Sequence, residues 1–202
     1  MNAAFGNLAL NSDASDAQPR RMPGEEGIWV LILGDMLVFS LFFATFLYYR
    51  GDNLSLFRES QTQLNQFYGA LNAFFMLTSS WFVATAVHAA RGGRGRATRR
   101  LLLLAILCAI GFASVKILEY GEKIRAGITL TSNDFFMYYY MFTGIHFLHV
   151  IIGSAVLVYL TRISWCDQFD ARILRNLESG GSFWHVVDLL WIVLFALFYL
   201  IK

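Results

Sequence analysis

The stretch "IWVLILGDMLVFSLFFATFLYY", residues 28–49, carries one charged side chain, Asp35, in a run otherwise fit for lipid. About 20 such residues, rising 1.5 Å each, cross the hydrocarbon of a bilayer. Four further runs of this kind fall at 66–90, 101–120, 134–161 and 183–201. The chain is 57% hydrophobic and 15% charged over 202 residues, too apolar for a soluble domain of that length. Hydrocarbon offers backbone groups no water, and the runs are too long and too uniformly apolar for barrel strands, so each must be a helix. The expected fold is an all-α, five-transmembrane-helix bundle. Residues 1–23 lack the basic start and continuous apolar centre of a signal peptide and are expected to form a flexible, uncleaved tail before a membrane domain over 24–202.

Arginine placement predicts the orientation. One side collects Arg20, Arg21, Arg91, Arg94, Arg96, Arg99, Arg100, Arg162, Arg172 and Arg175; the other has Arg50, Arg58, Lys123, Arg125 and Lys202. That bias puts the N-terminus in the cytoplasm and the C-terminus in the periplasm. The net charge of +2 is thus topogenic, and no basic groove pattern points to nucleic acid. Cys108 lies in the third span and Cys166 in a loop assigned to the cytoplasm, so no disulfide is expected. There is no CxxC, GxGxxG or P-loop.

The polar residues inside the spans carry the functional information. An aspartate in mid-helix costs about 2.5–3.5 kcal/mol on insertion scales, so Asp35 is expected to have a partner or a task. Helical rise places Asp35, His149, His185 and Asp188 in the cytoplasmic half and His146 nearer the middle. A buried polar cluster of Asp35 with one or more of His146, His149, His185 and Asp188 follows, the i to i+3 pairs His146/His149 and His185/Asp188 each sharing a helix face. Such a cluster can fix helix register, meet lipid headgroups or handle protons, or ligate haem through His149 and His185. A dinuclear metal site is disfavoured, because the Glu-x-x-His repeats of bundle di-iron proteins are absent.

Lys116 and Glu119 read as a snorkelling pair at the membrane interface or a subunit contact, with Tyr120 beside them, and His88 as an interfacial histidine next to the arginine loop. Tyr48, Tyr49, Tyr138, Tyr139, Tyr140, Trp165, Trp184 and Tyr199 fit interfacial aromatic belts. Gly111 with Ser114, and Gly153 with Ser154 and Ala155, permit close helix approach.

Four stretches in order, "GIWVLILGDMLVFSLFF" (27–43), "KILEY" (116–120), "TGIHFLHVIIG" (143–153) and "FWHVVDLLWIVLFALFYL" (183–200), resemble subunit III of the haem-copper oxidases, the cytochrome c oxidase subunit 3 family. The five-span length is similar to short bacterial members that lack the first two helices of the seven-span form. The lead-in "PGEEGIWVLILGDM" (23–36) looks most like the branch encoded beside nitric oxide reductase. Most oxidase members carry glutamate where this chain has Asp35. The resemblance implies an accessory subunit of the bacterial inner membrane with no metal or cofactor of its own. It would pack on catalytic subunit I of a haem-copper oxidase or nitric oxide reductase, which holds haem, and copper in an oxidase. It would also hold phospholipid in a cleft and sustain proton uptake and turnover. Asp35 is then the buried acid of a subunit III helix, hydrogen-bonded to the span-four histidines. Two other readings stand beside it: a self-standing transporter or proton conductor using Asp35 and the histidines as a relay, and a membrane cytochrome b.

Overall fold

A computed structural model describes residues 26–165 and 170–201. The predicted tail, Arg20, Arg21, Cys166 and Lys202 lie outside the described residues. Within them the chain is all helical: α1 (Glu26–Asp52), α2 (Leu54–Thr62), α3 (Gln66–Arg91), α4 (Gly95–Arg125), α5 (Asp134–Ile163) and α6 (Ala171–Phe195), the last running into a π-helical turn, Ala196–Leu200. All but α2 are long and apolar enough to cross a membrane.

Local chemistry sets several helix ends. Asn65 accepts from the Phe67 N–H at 3.0 Å and Asn133 from the Phe136 N–H at 2.9 Å, each satisfying a first-turn donor that the helix leaves free. Gly93 and Gly127 adopt φ of 68° and 77° just past α3 and α4, a left-handed conformation that glycine takes without steric cost. The residues after them, Arg94 and Ile128, donate back to the carbonyls of Ala89 and Lys123, closing the C-termini in Schellman fashion.

Helices α3, α4, α5 and α6 form the bundle, α4 packing on α3 and α5 and α6 closing the circuit between α3 and α5. Backbones approach closely where glycine faces a large side chain. A Cβ at Gly153 of α5 would lie 2.7 Å from the Trp184 ring of α6, and one at Gly180 of α6 would lie 2.7 Å from Leu160 of α5. In a membrane, where apolar burial drives little association, such shape matching supplies much of the helix adhesion.

Helix α1 stands at the periphery. It buries Ile32, Phe39 and Phe46, spaced two turns apart on one seam, while Val30, Leu33 and Leu37 face outward. Phe46 anchors it in an aromatic cluster with Phe57, Phe135, Tyr138, Phe142 and Phe198. The short helix α2 sits at the end of the bundle opposite the arginine loop. Its Ser60 accepts from Asn133 Nδ2 at 2.8 Å and its Gln61 donates to the Phe198 carbonyl at 2.9 Å. That second bond serves the π turn, whose widened hydrogen bonding buries Leu197, Phe198 and Tyr199 in succession. Gln66 Nε2 donates to the Tyr199 carbonyl at 2.9 Å and Arg50 Nη2 to that of Ile201 at 3.0 Å, so side chains from three segments satisfy the end of the last helix.

Candidate functional site

The polar residues of the spans do not form one cluster. They separate into three sites and one isolated histidine.

Asp35 of α1 meets His149 of α5, Oδ1 to Nε2, at 3.1 Å, with the two side chains 15% and 19% exposed. His149 Nδ1 lies 2.9 Å from the Ile145 carbonyl one turn back. A carbonyl oxygen only accepts, so Nδ1 carries a hydrogen and Nε2 faces the carboxyl. A hydrogen bond across this contact is made by one hydrogen, carried on Nε2 or on Oδ1. The pair lines a cavity of about 640 Å³ between α1 and the bundle, walled by Phe39, Phe42, Ile152 and Phe183. Asp35 Oδ2 is buried without a hydrogen-bond partner in the protein.

His146, expected to share the face of His149, turns away from it. Three residues of helix leave a 60° offset, enough to send His149 to the cleft and His146 to the centre. There His146 is 0% exposed, its ring 5.8 Å from Phe112 and 5.3 Å from Trp191, and neither nitrogen has a protein partner.

His185 and Asp188 are held on α6 against Ser80 of α3. Ser80 Oγ and His185 Nδ1 are 2.5 Å apart, and Asp188 Oδ1 is buried without a hydrogen-bond partner among the described residues. Asp188 is buried and His185 is exposed on the outer surface. Neither joins Asp35, so the single predicted layer is corrected to two separated polar sites. Its failure is lateral: equal depth does not place residues on the same side of a bundle.

The third site overturns an expectation outright. Lys116 and Glu119 are each 1% exposed, inside the bundle and away from both lipid and any subunit surface. Lys116 Nζ donates to Glu119 Oε2 and to the Tyr139 hydroxyl, both at 3.0 Å. Tyr199 OH donates to Glu119 Oε1 at 2.6 Å, and the Tyr139 and Tyr199 hydroxyls are 3.3 Å apart. The donors fall in a consistent order, Lys116 to Tyr139, Tyr139 to Tyr199 and Tyr199 to Glu119, so the ring closes with both carboxylate oxygens engaged. The rings of Tyr120, Tyr139 and Trp191 surround the ammonium at 5.0, 4.8 and 5.2 Å. Tyr120 is itself half-buried and bonds Thr143 at 2.6 Å.

Several assigned belt aromatics are likewise interior: Tyr138, Tyr139, Tyr199 and Trp184 are buried, and Trp184 Nε1 donates to Ser79 at 3.1 Å. Tyr48, Tyr49 and Trp165 are exposed, as a belt requires. His88 is exposed in the last turn of α3. Sequence reasoning missed Ser80 and the tyrosine partners of Glu119. The signal for Tyr199 was its position one turn beyond Phe195, and an aromatic-belt assignment concealed it.

Among the described residues no group of three or more His, Cys, Asp or Glu is arranged to hold a metal ion. The fold and its sites define a polytopic helical membrane protein with buried polar contacts between its helices. The family model for cytochrome c oxidase subunit III matches residues 24–202, and the chain belongs to that family. It is 26% identical over 180 residues to the heme-copper oxidase subunit I+III of Aeropyrum pernix, an alignment covering 86% of this chain and 22% of that protein. Quinol oxidase subunit 3 of Bacillus subtilis is 25% identical over 179 residues, covering 86% and 85% of the two chains. Cytochrome c oxidase subunit 3 of Thermostichus vulcanus is 26% identical over 176 residues, covering 87% and 86%.

Proposed function

We propose that this chain is an accessory subunit of a respiratory complex whose catalytic subunit I is that of a haem-copper oxidase or a nitric oxide reductase. It supports assembly, stability and proton-coupled turnover while electrons pass through haem, and copper in an oxidase, in the partner. The family match over nearly the whole membrane domain carries this reading. The nitric oxide reductase alternative rests on the lead-in at 23–36. In this reading the complex sits in a bacterial inner membrane, the arginine bias putting the N-terminus in the cytoplasm and the C-terminus in the periplasm.

The Asp35–His149 pair is the proton-related element. It is a carboxyl–imidazole contact at the edge of an apolar cleft, the kind of intramembrane pair from which proton relays are built. The cleft itself suits phospholipid chains, since its walls are aliphatic and phenylalanine side chains.

Purification through a C-terminal tag from native membranes in mild detergent tests the proposal. A haem-bearing catalytic subunit in the eluate, seen by visible spectrum, is expected, and its copper content separates oxidase from nitric oxide reductase. A colourless, solitary protein would favour the transporter or proton-conductor reading.

A further inference from the structure

A polar side chain on the outer surface of a membrane bundle has no water to turn to, so each one must find a partner. The exposed hydroxyls on the spanning helices find theirs locally. Ser40, Thr45, Thr85 and Ser114 each donate to the carbonyl four residues back, at 2.7, 2.9, 2.8 and 2.8 Å. His185 is different. Its Nδ1 is occupied by Ser80, its ring is exposed, and Nε2 has no partner among the described residues.

The depth makes this costly. At 1.5 Å per residue Ser80 lies about 21 Å from Gln66 and about 17 Å from Arg91 along α3, near the middle of the hydrocarbon. His185, bonded to it, shares that depth. Nδ1 is taken up by Ser80 inside the bundle, which leaves Nε2 as the ring nitrogen turned to a neighbour. The surrounding surface is shaped for a helix: Ala84, small and exposed one turn from Ser80, with Leu77, Leu189 and Ile192 exposed around the seam. The outer face of α4, by contrast, shows Leu103, Leu107, Ile110 and Ile117, an aliphatic stripe that lipid covers without loss.

We propose that the α3/α6 face centred on His185 is the surface on which a transmembrane helix of the catalytic subunit docks, presenting a hydrogen-bonding group to His185 Nε2. The inference rests on the accessory-subunit reading and adds to it the face and the chemistry of contact. The Aeropyrum relative, named as subunits I and III together, is consistent with the catalytic subunit as occupant.

The test uses the tagged full-length chain in its native membranes. His185→Leu should reduce recovery of the catalytic subunit about fivefold, while His185→Gln, which keeps a hydrogen-bonding side chain, should restore most of it. His185→Leu also removes the bond to Ser80, so a small drop in the melting of the isolated chain is expected, and the crosslink made with His185 intact separates docking from folding. The photoreactive residue p-benzoylphenylalanine at Leu189 should give an adduct with the catalytic subunit, and the same residue at Leu107 on α4 should not. Undiminished recovery with His185→Leu, or adducts from Leu189 only with lipid or a second copy of this chain, would overturn the docking face while leaving the accessory role standing. Failure of the unmodified chain to recover any catalytic subunit would overturn both.

Discussion

Lys116 and Glu119 are joined at 3.0 Å in the interior of the bundle, and Tyr199, eighty residues along the chain, closes the other carboxylate oxygen at 2.6 Å. The pair therefore ties α4 to α5 through Tyr139 and to the π turn through Tyr199. Its stabilising value is conditional. Two charges moved out of water lose hydration worth several kcal/mol each, and only a complete set of partners offsets that.

Removing one member should be far worse than removing both. Glu119→Ala leaves a buried ammonium with a hydroxyl and three rings, and is expected to cost about 3–5 kcal/mol. The double substitution Lys116→Met with Glu119→Leu should cost much less than either single change. Thermal melting of the purified chain in detergent measures the difference. Additive losses from the two sites would show that the pair is not coupled.

Tyr199→Phe isolates one bond of the same ring. The aromatic packing against Phe195 survives, with ring centroids at 5.6 Å, but Glu119 Oε1 loses its donor inside the bundle. An expected loss of about 1–3 kcal/mol follows from leaving a buried acceptor unmet. Denaturant or thermal melting reads it, and a loss below about 0.5 kcal/mol would place that oxygen in contact with another donor.

The five spans were legible because length and apolarity alone select a helix in hydrocarbon, and the Asp35–His149 contact was legible because a lone mid-span carboxyl needs a partner. Lateral arrangement was not. His146 and His149 diverge by the 60° that an i to i+3 step leaves, and which of them meets Asp35 depends on how α1 leans on α5 and α6. The Lys116–Glu119 site was misplaced for a related reason. Near a span end, snorkelling and burial have the same sequence signature, and only the inward turn of Tyr139 and Tyr199 separates them. Helix α2 and the π turn depend on mutual capping by Gln61 and Gln66, contacts between distant segments that no local pattern announces.

Gly153 is a test of the packing between α5 and α6. Alanine there puts a methyl 2.7 Å from Trp184, whose ring is itself fixed by its bond to Ser79. The indole cannot yield without breaking that bond, so Gly153→Ala should destabilise the chain by about 1–3 kcal/mol despite alanine's better helix propensity. A melting temperature equal to that of the unmodified chain would mean that the helices separate freely at this point.

Asp35→Asn probes the proton-related reading most directly. Asparagine keeps the size of the side chain, and its amide can donate to His149 Nε2 much as a protonated carboxyl would, so helix α1 should stay docked and the melting temperature should move little. What it cannot do is release or accept the shared proton. In the purified complex the haem spectrum should be unchanged, because Asp35 and His149 belong to no group among the described residues arranged to hold a metal, while steady-state turnover should fall by up to about 10²-fold, the lower end for a general acid–base step. Asp35→Glu, which restores the carboxyl, should recover most of the lost rate. Full turnover with Asp35→Asn would reduce the pair to a structural bond between α1 and α5, and a change in the haem band would contradict the assignment of redox chemistry to the partner.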